Sequence, residues 1–329
     1  MVTDTRDDDV GDEPGGDDGR RTDGGVAVQR PKRAVPRALW RMLRPDQVGL
    51  IFALYAVGCV VAAATTRATL SGSWPQVVGG ALALAATTAT VHYANEYADY
   101  ETDAIATGSE FSGGSGALHE YGLPRSLARR ATVLSGVATV PAGAVAWLAG
   151  VPPRALAVLG IILLLGWQYS LQPLALAWRG FGAATNALVG ALLLPVYAVS
   201  VVTPPTVAHV AAFVPFTIVT GLSLLTTQWP DRDGDAAVGK RTLATRLTPR
   251  RLRWVFLAVA AAYVASVVAV AVTVSPPTPV VVAHLVPLPA IAWATRTFTR
   301  QESPLPGVVS MVSLAGSLAV AWTLVLGVV

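Results

Sequence analysis

Two short acidic motifs stand out in a chain that is otherwise poor in charge. The first, NEYADYETD, begins at Asn95, and the second, PDRDGD, begins at Pro230. Oxygen-bearing side chains recur at every fourth residue of both motifs. They are Asn95, Asp99 and Asp103 in the first motif and Asp231 and Asp235 in the second. Because residues four apart lie along one face of a helix, each motif predicts a row of oxygen ligands.

Two facing rows of carboxylates would repel each other unless a cation lay between them. Hard divalent cations meet this need, because Mg²⁺ prefers oxygen ligands and is usually shared between one or two carboxylates and substrate phosphates. The motifs therefore predict a site for Mg²⁺ and a diphosphate. The alternative is that the acids are solvated, or pair with nearby bases to end the helices. The repeated four-residue spacing, next to apolar spans, favours a functional site.

The composition is that of a polytopic membrane protein. The chain has 329 residues, of which 53% are hydrophobic and only 13% are charged, whereas soluble domains have about 25% charged residues. Nine of its 20 acidic residues lie between Asp4 and Asp23. We therefore predict a disordered tail over residues 1–35, without a secretory signal peptide, and a transmembrane domain over residues 36–329. The single Cys59 excludes a disulfide framework and is interpreted as a small apolar residue.

Nine apolar segments are long enough to cross the hydrocarbon core, which requires roughly 17 to 25 residues. The predicted fold class is therefore all-α, with nine transmembrane helices. The segments cover about 48–66, 76–98, 128–149, 154–171, 182–202, 207–227, 253–275, 279–297 and 306–328. The two acidic motifs follow the second and the sixth segment.

Basic residues predict the orientation in the membrane. With the N-terminus on the cytoplasmic side, the inner loops contain thirteen Lys and Arg residues, and the outer loops contain only Arg67 and Arg154. Because cytoplasmic loops retain positive charge, both acidic motifs are expected on the cytoplasmic side. The basic stretch from Arg30 to Arg44 is expected to form an interfacial helix bound to anionic lipid headgroups.

These motifs resemble the two Asp-rich signatures of the UbiA superfamily of intramembrane prenyltransferases. The resemblance includes FSGGSGAL at residues 111–118, PDRDGDAAVGKRTLATRL at 230–247 and YSLQPLALAWRGFG at 169–182. It extends over about residues 40–328 and is closest to the MenA-like branch, the 1,4-dihydroxy-2-naphthoate prenyltransferases. The resemblance implies nine helices around a central cavity, and transfer of an isoprenyl group from a prenyl diphosphate to an acceptor that is usually aromatic.

The resemblance also implies roles for individual residues. Mg²⁺ would be held by Asn95, Asp99, Asp103, Asp231 and Asp235. Phosphate oxygens would be bound by Lys240, Arg241 and Arg125, together with backbone N–H groups of the glycine-rich loop that contains Ser112, Gly113 and Gly114. A carbocation would be faced by aromatic rings, for which the candidates are Tyr93, Tyr97, Trp167 and Tyr169. Each of these rings has an ordinary interfacial role as its alternative.

Several positions depart from the family pattern. Thr227 stands four residues before Asp231, where MenA-like enzymes often have Asn, and Ala183 stands where Glu is common. His92 is three residues before Asn95 and could deprotonate a phenolic acceptor, although a hydrogen-bonded structural histidine is the alternative. These departures concern acceptor recognition more than diphosphate binding.

Two other functions fit parts of this pattern. A terpene cyclase of the UbiA type would ionise the same diphosphate without an acceptor. A transporter would have carboxylates along a pathway, but those residues should lie at mid-membrane and in inverted repeats. The expected partners are a prenyl diphosphate, an aromatic acceptor and membrane lipid, with no nucleic acid and no obligate protein partner.

Overall fold

The computed structural model describes residues 34–66, 70–104 and 114–328, and these ranges contain helices and connecting turns but no strands. The α-helices are α1 (Ala34–Met42), α2 (Pro45–Thr66), α3 (Trp74–Ala98), α4 (Tyr100–Asp103), α5 (Ala117–Glu120), α6 (Arg125–Leu148), α7 (Pro153–Ser170), α8 (Gly182–Ala187), α9 (Leu194–Val202), α10 (Val207–Ala237), α11 (Leu243–Arg246), α12 (Pro249–Thr273), α13 (Thr278–Ala283), α14 (Leu288–Thr297) and α15 (Leu305–Val328). Short 3₁₀ helices cover Leu70–Ser73 and Leu176–Arg179, and a π-helix covers Leu188–Leu193.

Within the described ranges, nine helical segments are long and apolar enough to cross a membrane. They are α2, α3, α6, α7, the segment Gly182–Val202, α10, α12, the segment Thr278–Thr297 and most of α15. The predicted all-α fold with nine spans is therefore confirmed. The membrane prediction agrees with this finding, since each segment has a mean hydropathy of 1.2 or more.

The sixth span is longer than its apolar sequence indicates. We expected it to end at about residue 227, but α10 continues to Ala237 and includes the whole second acidic motif, despite Pro230 within it. The helix ends at Ala237, and Gly239, two residues later, has a φ of 78°. Glycine tolerates this left-handed conformation and is a common helix terminator. Asp231 and Asp235 therefore lie on successive turns of one helix.

Two other spans are interrupted rather than continuous. The predicted eighth helix is divided into α13 and α14, because Pro287 precedes α14 and cannot donate a backbone hydrogen bond. The fifth span contains the π-helix Leu188–Leu193 between α8 and α9. Such interruptions are compatible with a membrane span when neighbouring helices satisfy the freed backbone groups.

The core lies where α2, α3 and α9 pack together. Tyr197 is completely buried in α9 and donates to the Gly80 carbonyl oxygen at 2.7 Å. A Cβ atom at Gly58 of α2 would lie 2.7 Å from the carbonyl oxygen of Pro195 and would collide with α9. Gly58 therefore permits the close helix approach that is typical of membrane interfaces. This packing fixes α3, which carries the first acidic motif.

The first helix, α1, packs against the end of α3 and against α5. Its buried residues recur every fourth position, at Ala34, Ala38 and Met42, whereas Arg37 and Trp40 are exposed. This amphipathic pattern agrees with the expected interfacial helix. The helix begins at Ala34 and so includes the last two positions of the predicted disordered tail of residues 1–35, and its Ala38 and Met42 pack in one cluster with residues of α5. Residues 1–33 of that tail lie outside the described residues.

Candidate active site

The first acidic motif crosses a break between two helices. Asp99 ends α3 and precedes α4, with a φ of −89° and a ψ of 4°. The backbone bonds nevertheless continue, because Asp99 N donates to Asn95 O at 2.9 Å and Asp103 N donates to Asp99 O at 2.8 Å. The expected four-residue spacing of Asn95, Asp99 and Asp103 is therefore retained, although these residues do not belong to one uninterrupted helix.

The side chain of Asn95 is held by the fourth span. Ser170, the last residue of α7, donates from Oγ to Asn95 Oδ1 at 2.9 Å. This bond fixes the amide and leaves its oxygen with a second lone pair as an acceptor. The C-terminal end of α7 thus supports the first oxygen ligand of the predicted row.

Asp103 contacts the glycine-rich loop. Gly114 donates its backbone N–H to Asp103 Oδ1 at 2.9 Å, and a Cβ atom at Gly114 would overlap the Asp103 carboxylate. Burial and the negative charges of Asp99 and Glu96 raise the pKa of Asp103 to about 6. Burial also raises the pKa of Asp99, and the positive charges of Lys240 and Arg44 offset part of that effect. Both carboxylates are therefore short of positive charge.

The second motif presents one buried carboxylate and one exposed carboxylate. Asp235 is 5% exposed, and its Oδ1 lies 3.3 Å from Lys240 Nζ. Asp233 is exposed and pairs with the adjacent Arg232 at 3.3 Å, in agreement with its expected orientation away from the row. Asp231 is half-buried, and its charge acts on Asp235. The working face of this motif therefore contains Asp231 and Asp235.

Lys240 connects the two motifs electrostatically. Burial works against its charge, but the carboxylates of Asp99 and Asp235 outweigh that effect and raise the pKa of Lys240 above its ordinary value. The Tyr169 hydroxyl of α7 also interacts with this ammonium group. Because Asp99 follows α3 and Asp235 belongs to α10, one half-buried cation interacts with carboxylates at the ends of the second and sixth spans.

The segment that carries Lys240 is fixed by the loop after α7. Arg241 donates its backbone N–H to the Trp178 carbonyl oxygen at 2.9 Å, and its side chain is exposed. Gly180 has a φ of 92°, and a Cβ atom there would lie 2.8 Å from the Arg241 carbonyl oxygen. The close contact and the positive φ explain why the sequence has glycine at position 180. The stretch at residues 169–182, which also resembles the family, thus positions Lys240 and Arg241 after the second motif.

Arg125 is the first residue of α6, and its side chain contacts the end of α3 rather than the two acidic rows. Its Nε donates to the Tyr97 carbonyl oxygen at 2.9 Å, and its guanidinium lies 4.3 Å from the centroid of the Tyr97 ring. Its Nη1 pairs with Glu101 at 3.2 Å. Through these contacts Arg125 satisfies a carbonyl group at the end of α3. The predicted phosphate role of Arg125 has no support in this geometry and stays a prediction.

The aromatic candidates separate into two groups. Tyr169 interacts with Lys240, Asp99 and Asp235. Tyr93 and Tyr97 instead pack in a small apolar cluster that contains residues of α1 and α5. Their position there matches the ordinary interfacial role rather than a wall around the site. Of these three rings, Tyr169 is the one that interacts with charged residues of both motifs.

His92 has the structural role that was its alternative. Its Nδ1 lies 2.6 Å from the Leu43 carbonyl oxygen, in the turn between α1 and α2. The sequence did not identify Arg44 or Ser115 as relevant, yet both bind Glu96 next to the site. Arg44 was one of several bases in the same stretch, and nothing local distinguished it. Ser112 and Gly113 of the predicted loop lie outside the described residues.

The donor set fits a divalent cation in chemistry and in charge. Four carboxylates of the two motifs and one ammonium group, Lys240, give a net charge of −3, because Glu96 is already paired with Arg44. Two more oxygens nearby in sequence, Thr102 Oγ1 and Gln228 Oε1, are buried without a hydrogen-bond partner. Among the described residues, however, no three acidic, histidine or cysteine side chains are grouped closely enough to hold an ion. The residues fit a hard cation, which would draw the two rows together.

The comparisons with known proteins identify the family. The sequence model of the UbiA prenyltransferase family matches residues 54–314. The chain belongs to the UbiA prenyltransferase family. No curated protein matches it significantly.

Several solved UbiA structures share this fold. A UbiA homologue from Archaeoglobus fulgidus bound to DMAPP and Mg²⁺ is 16% identical with a TM-score of 0.65, and the match covers 88% of this chain and 99% of that chain. The apo structure of a UbiA homologue from Aeropyrum pernix K1 is 15% identical with a TM-score of 0.62, covering 83% and 97%. A digeranylgeranylglyceryl phosphate synthase is 11% identical with a TM-score of 0.62, covering 90% and 99%.

Membership of the UbiA family confirms the predicted enzyme class, a prenyltransferase in an integral membrane protein. The likeness to the MenA-like branch stays a prediction, as do the acceptor and the individual site residues. The match to the digeranylgeranylglyceryl phosphate synthase shows a shared fold, because it covers nearly the whole of that chain.

Proposed function

We propose that this UbiA protein transfers an isoprenyl group from a prenyl diphosphate to an aromatic acceptor, with Mg²⁺ as cofactor. One observation carries the proposal. Lys240 Nζ lies 3.3 Å from Asp235 and its charge also interacts with Asp99, so one half-buried cation faces carboxylates of both acidic motifs. A site of this composition suits a polyanion that arrives with divalent metal.

The carboxylates of Asp99, Asp103, Asp231 and Asp235 would hold the metal, with Asn95 as a neutral oxygen ligand. Mg²⁺ bound there would neutralise the negative charge that develops on the diphosphate leaving group. The solved homologue from Archaeoglobus fulgidus binds DMAPP and Mg²⁺, which supports the same pairing of ligands in this chain.

Lys240 and Arg241 would bind the diphosphate oxygens from the other side. Lys240 is half-buried and keeps its positive charge, and Arg241, whose side chain is exposed, is the next residue. When the C–O bond to the allylic carbon breaks, its electron pair leaves with the diphosphate, and these cations are ready to stabilise that charge. An aromatic carbon of the acceptor then forms the new C–C bond and releases a proton.

The allylic cation requires surroundings that exclude water. Tyr169 lies at the site and offers an aromatic ring, which attracts a cation within about 6 Å. The isoprenyl tail would extend among the apolar spans, and we propose that both substrates reach the cytoplasmic side, where the basic loops are concentrated. The aromatic acceptor is proposed from the MenA-like sequence pattern, in which Ala183 is a departure.

Mutation of one carboxylate in each motif tests the function. We expect Asp99→Asn and Asp235→Asn to abolish Mg²⁺-dependent release of diphosphate from DMAPP, geranyl, farnesyl and geranylgeranyl diphosphates, assayed with naphthoate and phenolic acceptors. Glu101→Gln is the matched control, because the Glu101 side chain is 80% exposed and pairs with Arg125. Full turnover in Asp99→Asn or Asp235→Asn would refute the assignment. A cyclic hydrocarbon formed from the diphosphate alone would show that the enzyme is a terpene cyclase and not a transferase.

A further inference from the structure

Glu96 of the first motif is buried and fully bonded. It is 2% exposed, and four donors reach its carboxylate. Oε1 accepts from Arg44 Nε at 3.2 Å, from Arg44 Nη2 at 2.9 Å and from Ser115 N at 2.9 Å. Oε2 accepts from Ser115 Oγ at 2.6 Å. Both oxygens of the Glu96 carboxylate are therefore engaged by Arg44 and Ser115.

One side of Glu96 fixes the N-terminal helix α1. Arg44, just after α1, has a φ of 52°, which is uncommon for a residue other than glycine. The bonds to Glu96 compensate for this conformation. His92, one turn before Glu96 on α3, binds the Leu43 carbonyl oxygen at 2.6 Å. The last turns of α3 therefore hold the end of α1 with one face and carry Asn95 and Asp99 on another.

The other side of Glu96 fixes the glycine-rich loop. Two consecutive backbone N–H groups of that loop bind two carboxylates of the first motif. Ser115 N donates to Glu96 and Gly114 N donates to Asp103, each at 2.9 Å. Arg41 of α1 also donates to the Ser115 carbonyl oxygen at 3.2 Å. Residues 114 and 115 are thus held between Glu96, Arg41 and Asp103.

We propose that Glu96 is a positioning residue for prenyl diphosphate use: it fixes residues 114 and 115 so that the Gly114 N–H orients the Asp103 carboxylate. Glu96 itself contacts neither metal nor substrate in this assignment. Its side chain must accept from Arg44 and Ser115 at once. Asp is one methylene shorter and cannot reach both, and Gln replaces one acceptor oxygen by a donor. The kinetic part of this inference rests on the proposed function, whereas the structural part does not.

The test compares Glu96→Gln with Glu101→Gln in the full-length protein in detergent micelles or nanodiscs. Hydrogen exchange measured by mass spectrometry, without substrate, reports the loop directly. We expect the peptides that cover residues 114–123 to exchange at least about tenfold faster in Glu96→Gln, since Ser115 loses the carboxylate that binds its N–H and its hydroxyl. Peptides of α12 and α15 should keep their exchange rates, and Glu101→Gln should match the parent protein throughout.

The kinetic measurement separates positioning from a purely structural anchor. Glu96→Gln should raise the KM for prenyl diphosphate about tenfold and the Mg²⁺ concentration for half-maximal rate in parallel, with an unchanged KM for the acceptor. Unchanged exchange in the loop would overturn the proposal. Faster exchange with unchanged kinetics would also overturn it, because Asp103 would then not depend on the loop.

A milder variant decides the matter if Glu96→Gln loosens the whole protein. Ser115→Ala removes one of the four bonds to Glu96 and retains the bond from the Ser115 N–H. It should show the same pattern of faster loop exchange and raised KM for prenyl diphosphate, at smaller amplitude. Parent-like values of both quantities would refute the role of Glu96. Absence of any prenyl transfer in the parent protein would defeat the proposed function but would leave the exchange result standing.

Discussion

Lys240 Nζ lies 3.3 Å from Asp235 Oδ1, and the backbone N–H of Lys240 donates to the Asp235 carbonyl oxygen at 2.8 Å. The chain thus turns at Gly239, so that Lys240 lies beside the carboxylate of Asp235, near the end of α10. This contact makes Lys240 part of the second motif. It also makes Lys240 the cation that Asp99 of the first motif meets.

Removal of the Lys240 charge should affect metal and diphosphate in opposite directions. In Lys240→Met, Asp99 and Asp235 lose their common cation, so a divalent ion should bind more tightly in the absence of diphosphate. The KM for prenyl diphosphate should rise at least about tenfold, or about 1.4 kcal/mol, because the leaving group loses a positive charge. Calorimetric titration with Mg²⁺ and steady-state kinetics measure the two effects.

Arg250→Met is the matched control for Lys240→Met. Arg250 is an exposed base in the first turn of α12, and its loss should alter neither quantity. A selective increase in the KM for the acceptor in Lys240→Met would mean that Lys240 acts elsewhere.

Gly114 should tolerate no side chain. A Cβ atom there would overlap the Asp103 carboxylate, so Gly114→Ala must displace either the loop or Asp103. We expect kcat/KM for prenyl diphosphate to fall at least about tenfold, with little change in thermal stability, as measured by steady-state kinetics and a melting curve. Gly143→Ala on α6, where a Cβ atom would meet open space, should behave like the parent protein. Full activity of Gly114→Ala would show that Asp103 does not need its present position.

Much of the candidate site could be proposed from local spacing. The four-residue repeat identified Asn95, Asp99, Asp103, Asp231 and Asp235, because a helical period is a local property. The length of α10 was not predictable, since its apolar run stops well before Ala237 and its last turns carry the charged residues of the second motif, where Asp235 contacts Lys240. Hydropathy alone cannot detect such a contact.

The partners of charged residues were the least predictable feature. Glu96 and Arg44 are 52 positions apart in the chain, and neither has a local signal that indicates the other. Arg125 was expected at the diphosphate for its charge, but the nearest groups that it can satisfy are the free carbonyl groups at the end of α3. Long-range pairing of this kind depends on the packing of α1, α3 and α6.

Loss of the Ser170 hydroxyl should weaken the first ligand row without loosening the fold. Ser170→Ala removes the donor that holds Asn95 Oδ1 at 2.9 Å, and the small buried side chain leaves no large cavity. The freed amide can rotate, so the Mg²⁺ concentration for half-maximal activity should rise a few-fold. Ser170→Thr, which retains the hydroxyl, is the control for this bond. A metal titration of activity that is identical in Ser170→Ala and the parent protein would mean that the orientation of Asn95 is irrelevant.

Arg125 should act on stability rather than on diphosphate binding. Arg125→Gln removes the charged donor to the Tyr97 carbonyl oxygen and the cation over the Tyr97 ring, which together are worth roughly 1–3 kcal/mol. The melting temperature should therefore fall, while the KM for prenyl diphosphate stays within about twofold of the parent value. Arg129→Gln, one turn further along α6 at an exposed position, should change neither. A tenfold increase in the KM at unchanged melting temperature would restore Arg125 to the diphosphate site, because only contact with the substrate gives that combination.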